Sequence, residues 1–529
     1  MSTTGRAGPR TGIFRRQPIS GGPGGPGGPG GPGGGESSGL KRTLGLWQLT
    51  AIGLGAIIGA GIFSLAGTVS NGTAGPAVSL SFIIAGIASA TAALAYAEFA
   101  GLIPRSGSAY TYSYAVLGEV VAWLIGWDLL LEYTAIVAVV AIGISGYFSF
   151  LLQGLGLDLP VWMLGAPGTG SGHRIDLFAA LLCLLIAWLL NRGMKTSARI
   201  ETILVFVKIA IVIAVIVVGA FYVKSGNLTP FLPYGFGGVV TGAATVFFAV
   251  FGYDAMSTAA EESKDAQRNL PKAILLSLGI AMALYLLACT VLTGMQRYDT
   301  IDSESAFSSA FAAVGLPGFA DIIAVGAIVG ILTVLFSFML GASRIWFAIS
   351  RDGLLPGWFA KVHPRTEVPH RPTWFIGVVS AALAGLMPIQ EVAELTNIGI
   401  LLAFVVVSVA VIILRYRSPH LPRSFRCPGM PFVPIVGIGF SLWLVAQLQP
   451  LTWLRFLAWF LIGLAVYGLY GYRHSKLGLA GAEPTEEVPV GEKPVGAVLG
   501  GSDPGPAGGT ASTAGAASAP DTGDQGDER

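Results

Sequence analysis

Gly53, Gly55, Gly59 and Gly61 fall within nine residues of the apolar stretch Gly53-Leu54-Gly55-Ala56-Ile57-Ile58-Gly59-Ala60-Gly61-Ile62-Phe63. Glycine tolerates dihedrals that other residues resist and leaves its backbone unshielded. Such a stretch can pack closely through Gly55-x-x-x-Gly59. It can also unwind, and an unwound helix in an apolar medium must aim its freed N–H and C=O groups at something polar. A helix N-terminus there can hold a carboxylate, and exposed carbonyls can hold an ammonium. A second such place is Phe247-Phe248-Ala249-Val250-Phe251-Gly252-Tyr253-Asp254, a lone glycine among aromatics. Phe248, Phe251 and Tyr253 are either ordinary core or lipid residues, or the cover over a bound side chain.

Isolated charges are the next chemical signal, because each costs several kcal/mol in an apolar span unless paired or hydrated. Lys208 is the only charge in ILVFVKIAIVIAVIVVGAF, 19 residues long. It is a lipid- or cavity-facing lysine with an extended stem, a proton site, or a fixed cation that orders the first glycine-rich stretch. Glu132 lies in LLLEYTAIVAVV, one turn after Asp128. It reads as a second proton carrier or as a structural hydrogen-bond acceptor. Asp128 reads as the cap of a water-filled vestibule, and Glu98 as an interfacial residue.

The elements that must position these groups follow from composition. Of 529 residues 53% are apolar and only 11% charged, against about 25% charged in soluble chains. Mean hydropathy is +0.69. No soluble surface can be built from so few charges, which excludes a soluble enzyme, a nucleic-acid binder and a coiled coil as the main body. Twelve apolar runs lie near 46–71, 76–102, 117–152, 176–191, 199–223, 238–260, 271–294, 319–350, 372–388, 391–414, 432–449 and 452–472. Most approach the roughly 20 residues that a spanning helix needs. With both ends inside, the internal connections carry 15 Lys and Arg and the external ones 4, the bias expected of cytoplasmic loops. Spans one and six then open two five-span halves in inverted orientation, a transporter arrangement that puts broken helices in matching positions. Residues 1–40 read as a disordered Gly/Pro-rich cytoplasmic tail, 41–476 as the membrane domain, and 477–529 as a disordered acidic cytoplasmic tail. Cys183, Cys289 and Cys427 are too far apart in sequence to suggest a disulfide framework or a clustered metal site. The five histidines lie in loops or near span ends.

The chain resembles the amino acid–polyamine–organocation transporters, and within them the cationic amino acid transporter branch and its bacterial relatives. The resemblance rests on GAIIGAGIF (55–63), FFAVFGYDAMSTAAEESKDAQRNLPKAI (247–274), SRIWFAISRDGLLP (343–356), VHPRTEVPHRPTW (362–374) and RYRSPHLPRSFRCPGMPFVPI (415–435). It implies an all-α membrane protein of 12 transmembrane helices: a LeuT-like 5+5 inverted repeat with unwound helices 1 and 6, plus two C-terminal helices. It also implies a substrate carboxylate held by the amides of Gly59, Ala60 and Gly61. The α-amino group would be held by carbonyls at Ile57, Phe248, Ala249 and Phe251, with Ile58 in the same site and Tyr253 covering it. Lys208 stands where sodium-coupled relatives place the ion, which implies proton coupling and sodium independence, and Glu132 matches an acidic residue typical of the branch. Phe338 or Met339 would line the side-chain end.

Departures from the family pattern include Ala60 in place of a hydroxyl residue and Phe251 in place of an aliphatic one. The expectation is secondary active transport of small neutral or cationic L-amino acids across the cell membrane. An exchanger, a polyamine or amine carrier, and a nutrient sensor on a transporter scaffold are the alternatives. Neither an enzyme, a metal, a cofactor beyond the coupling proton, nor an obligate protein partner is expected; the partners are substrate and bilayer.

Overall fold

The computed structural model describes residues 44–476 apart from 104–107, 158, 194–197, 255, 257–262, 304, 364–367 and 422, with backbone only at 108 and 198–202. Both tails, Arg105, Lys195, Glu261, Glu262, Arg365 and the side chain of Arg199 lie outside the described residues.

All but two of the helices follow the apolar runs; Ser108–Val116 and Ala306–Ala313 lie between them. The helices are α1 (Leu46–Ile57), α2 (Val78–Leu102), α3 (Ser108–Val116), α4 (Glu119–Gly154), α5 (Leu177–Asn191), α6 (Ala198–Ala220) and α7 (Gly235–Val246). Then come α8 (Ala266–Met295), α9 (Ala306–Ala313), α10 (Pro317–Arg351), α11 (His370–Leu386), α12 (Ile389–Arg417), α13 (Phe432–Ala446) and α14 (Pro450–Val466). Among the described residues seven helical stretches are long and apolar enough to cross a membrane, and four shorter apolar helices accompany them. One element departs from the all-α expectation. Between α4 and α5 a small antiparallel hairpin pairs β1 (Leu164–Gly165) with β2 (Ile175–Asp176). Two residues per strand leave no alternation to read in the sequence. Asp176 then caps α5 by accepting from the Ala179 N–H at 3.0 Å.

Small residues set the packing. α4 and α2 bury runs of alanine and glycine, so α10 and α12 lie close along α4, α8 along α2, and α11 along α5. The opposite faces are apolar and uncovered. Phe206, Ile213 and Val217 of α6 and Leu454, Leu457 and Leu461 of α14 are exposed. Such surface is stable against lipid and not against water.

Two helices stop inside this packing. α1 ends at Ile57; Ile58 is extended (φ −77°, ψ 102°), and helical geometry resumes with a π-turn over Gly61–Leu65. α7 ends at Val246 and tightens to a 3-10 turn over Phe247–Ala249. Gly252 follows at φ +110°, a left-handed conformation natural only to glycine.

Candidate functional site

A helix that ends leaves its last four carbonyls without intrahelical donors, and in lipid these must be satisfied by protein. At the first break, Lys208 of α6 reaches in with no solvent exposure. Its Nζ donates to the carbonyls of Gly55 at 2.5 Å and Ile58 at 2.8 Å, and to Thr333 Oγ1 at 3.4 Å. Of the alternatives the sequence left for Lys208, the lipid-facing lysine is excluded by this burial. Tyr285 of α8 donates its hydroxyl to the Ile57 carbonyl at 2.8 Å. Tyr147 of α4 does the same for Phe63 at 2.6 Å, beyond the break.

At the sixth-span break the donors are neutral. Asn397 of α12 donates its Nδ2 to the carbonyls of Ala244 at 2.8 Å and Thr245 at 3.1 Å. Ser89 of α2 donates to the Val250 carbonyl at 2.6 Å. The two breaks face each other. A Cβ on Gly61 would collide with Ala249, and one on Gly252 would lie 3.0 Å from the Ala56 carbonyl carbon and oxygen. Both positions need glycine for this approach.

Between the breaks is a small cavity, about 10 Å³, room for roughly one water molecule. It is lined by Ala56, Ile57, Gly59, Ala60 and Gly61 of the first break, by Phe248 and Phe251 of the sixth, by Ile136 and Val140 of α4, and by Val334 and Phe338 of α10. Every side chain lining it is apolar, so the polar groups that reach it belong to the backbone.

Several residues named from the sequence do not line this cavity. Ile58 is fully buried, with its carbonyl taken by Lys208. Ala249 lies against Gly61. Met339 is buried beside Phe338, which alone of the two faces the cavity. Tyr253, implied as the cover, stands elsewhere: it stacks on Phe404, meets Tyr96 edge-on, and donates its hydroxyl to the Ser89 carbonyl at 3.2 Å. Conversely, Ala56, Ile136, Val140 and Val334 line the cavity without a sequence signal, because an apolar residue in an apolar run is indistinguishable from its neighbours. Tyr285 is a single polar side chain in an apolar run, and Asn397 sits among Glu391, Glu394 and Thr396; neither was singled out by the sequence.

The acids form a separate group. Glu132 is buried on α4, with Asp254 and Asp128 close enough to act on it electrostatically. Asp254 Oδ2 accepts from the Tyr133 hydroxyl at 3.1 Å. Asp128 is buried against Gly399 of α12, and its carboxylate oxygens have no hydrogen-bond partner among the described residues. Glu98 is also not interfacial in the exposed sense. It is 1% exposed, held by Arg415, by Arg423 Nε at 2.9 Å and by the Cys427 N–H at 2.8 Å. Among the described residues, no group of three His, Cys, Asp or Glu could hold a metal ion.

A family profile described as amino acid permease matches residues 44–468. The chain belongs to this family. Within the amino acid–polyamine–organocation superfamily it falls in the cationic amino acid transporter and amino acid permease branch. The permease is a multi-pass membrane protein that carries amino acids by secondary transport, and it is not an enzyme. It is 48% identical to a methylthioribose transporter of Bacillus subtilis (strain 168), over 88% of this chain and 99% of the relative. It is also 48% identical to the branched-chain amino acid permease BcaP of the same organism, over 84% and 96%. A vacuolar cationic amino acid transporter 4 of Arabidopsis thaliana is 32% identical over 84% and 94%.

Proposed function

We propose that the permease is a proton-coupled, sodium-independent symporter of neutral apolar L-amino acids. It works by alternating access at the cell membrane, on a 12-span 5+5 scaffold with both termini cytoplasmic. The observation that carries the substrate class is the lining: backbone polar groups of two facing breaks suit the carboxylate and ammonium of an α-amino acid, and an all-apolar wall suits its side chain. A cationic side chain would be desolvated there with no acid among the lining residues to pair with it. A ribose bears hydroxyls that the same wall cannot satisfy, which weighs against a thiosugar although one relative carries methylthioribose. The relative that carries branched-chain amino acids weighs in favour.

Within this reading Gly59, Ala60 and Gly61 hold the carboxylate, and the carbonyls of Ile57, Phe248 and Phe251, residues that line the cavity, hold the ammonium. Sodium independence is supported by Lys208, whose ammonium takes carbonyl and hydroxyl oxygens of the kind that bind an alkali cation at an unwound helix. Lys208 and Glu132 are the groups proposed to carry the coupling proton.

The test is uptake by proteoliposomes of the purified permease without sodium. Labelled leucine, arginine and methylthioribose are offered separately, with and without an inward proton gradient. The expected result is gradient-driven accumulation of leucine alone. Equal accumulation of arginine overturns the apolar class. Leucine uptake that ignores the gradient and requires internal amino acid makes the permease an exchanger. Uptake of methylthioribose without leucine overturns the amino acid reading of the cavity.

A further inference from the structure

We propose that Asn397 is a positioning residue that decides where the sixth span stops being helical, and thereby where Phe248 and Phe251 meet the substrate. The consequence for substrate rests on the transport reading above; the consequence for the backbone does not.

The last four carbonyls of α7 and its cap belong to Ala244, Thr245, Val246 and Phe247. The Ala243 carbonyl receives the Phe247 N–H. The next two receive the Asn397 amide, one hydrogen each. Directly afterwards the chain tightens into the 3-10 turn, which Val250 closes by donating to Phe247 at 3.0 Å. Phe248 and Phe251 then line the cavity, with their rings edge-on at 5.7 Å between centroids. Asn397 is fully buried on α12 and does not line the cavity. Its Oδ1 has no hydrogen-bond partner among the described residues, so the donors hold it in place. A flipped amide would set its oxygen against two carbonyl oxygens. The side chain therefore acts as a helix cap delivered from another helix. It gives α7 a fixed end at a point where no proline and no left-handed residue imposes one.

The experiment uses the purified full-length permease and the variants Asn397→Ala and Asn397→Asp. Two quantities are read: hydrogen exchange of the amides at 247–252, and leucine affinity across pH. For Asn397→Ala the expected result is exchange at 247–252 faster by about tenfold with α4 and α10 unchanged, and leucine affinity weaker by about tenfold. Asn397→Asp keeps the shape but donates only when protonated. Its affinity relative to the unmodified permease is expected to recover toward acid pH, a signature that a purely packing role would not produce. Unchanged exchange at 247–252 in Asn397→Ala overturns the proposal. So does an Asn397→Asp affinity that parallels the unmodified permease at every pH. Should Asn397→Ala fail to fold, Asn397→Asp carries both readouts. Should the unmodified permease bind no leucine, the proposed substrate fails, and the exchange readout still decides the role of Asn397.

Discussion

The two helix breaks solve one problem with different chemistry. At the first, the orphan carbonyls of Gly55, Ile57 and Ile58 are taken by an ammonium and a phenol, Lys208 and Tyr285. At the second, those of Ala244, Thr245 and Val250 are taken by an amide and an alcohol, Asn397 and Ser89. Ammonium donors bind carbonyls more strongly than neutral ones, and only the ammonium carries a positive charge. On the proposed reading, the first break answers to a proton, while the sixth sets the shape of the pocket. Proximity joins them. Gly61 lies against Ala249, and Gly252 against Ala56.

The most severe way to break the pair is steric. Gly61→Leu drives a side chain into the backbone of Ala249, and leucine binding and uptake are expected to vanish while the protein remains folded. Gly59→Ala meets only the Val334 side chain at 3.0 Å, so it should retain part of both activities. Purified variants compared by circular dichroism and leucine binding decide this; a Gly61→Leu protein with normal affinity ends the idea of a close-packed double break.

Lys208→Met tests the charge. It keeps the stem and removes the donors, leaving two buried carbonyls short by about 1–3 kcal/mol each. The expected outcome is a lower thermal midpoint and loss of accumulation driven by a pH gradient. Accumulation equal to that of the unmodified protein would leave the lysine a purely structural tie.

Glu98→Gln serves as a distant control for both breaks. It removes a charge from a buried group with two arginines, where losing one partner costs about 3–5 kcal/mol. The stability of the region around Glu98 should fall, and the Cys427 thiol, now 3% exposed, should react faster with a polar maleimide. Leucine affinity of the remaining folded protein should not move. An affinity change would mean that this group acts on the breaks themselves.

The smallest effects come from single hydroxyls. Tyr285→Phe and Ser89→Ala each remove one bond to a break carbonyl, worth about 0.6–1.5 kcal/mol. If the charged break governs the cycle, Tyr285→Phe should alter the pH dependence of uptake and Ser89→Ala only its affinity. Identical profiles for the two variants would erase the distinction drawn between the breaks.

Much of this molecule is legible in its sequence, for a physical reason. Lipid permits only elements that satisfy their own backbones, so length and hydropathy locate the long apolar helices, though not the short Ser108–Val116 and Ala306–Ala313. Glycines without neighbouring turn residues mark the places where helical geometry fails, and Lys208 stands out because nothing around it is charged. Other readings stop where the partners are remote in sequence. Glu98 at the end of α2 looks like an interfacial acid until α12 and the loop after it bring Arg415, Arg423 and Cys427 around it. Tyr253 looks like a cover for the site until Tyr96 and Phe404 take its ring.

The sequence by itself therefore determined a membrane-embedded helical chain, two glycine-marked stretches able to unwind and a lone cation in an apolar run. Only the tertiary structure decided which carbonyls that cation grips, which of two neighbouring residues faces the cavity, and which side chain ends α7. Local hydropathy and backbone freedom act over a few residues, so they can be read in order along the chain. A hydrogen bond from Asn397 to Ala244, 153 residues away in sequence, exists only once packing has brought α12 and α7 together.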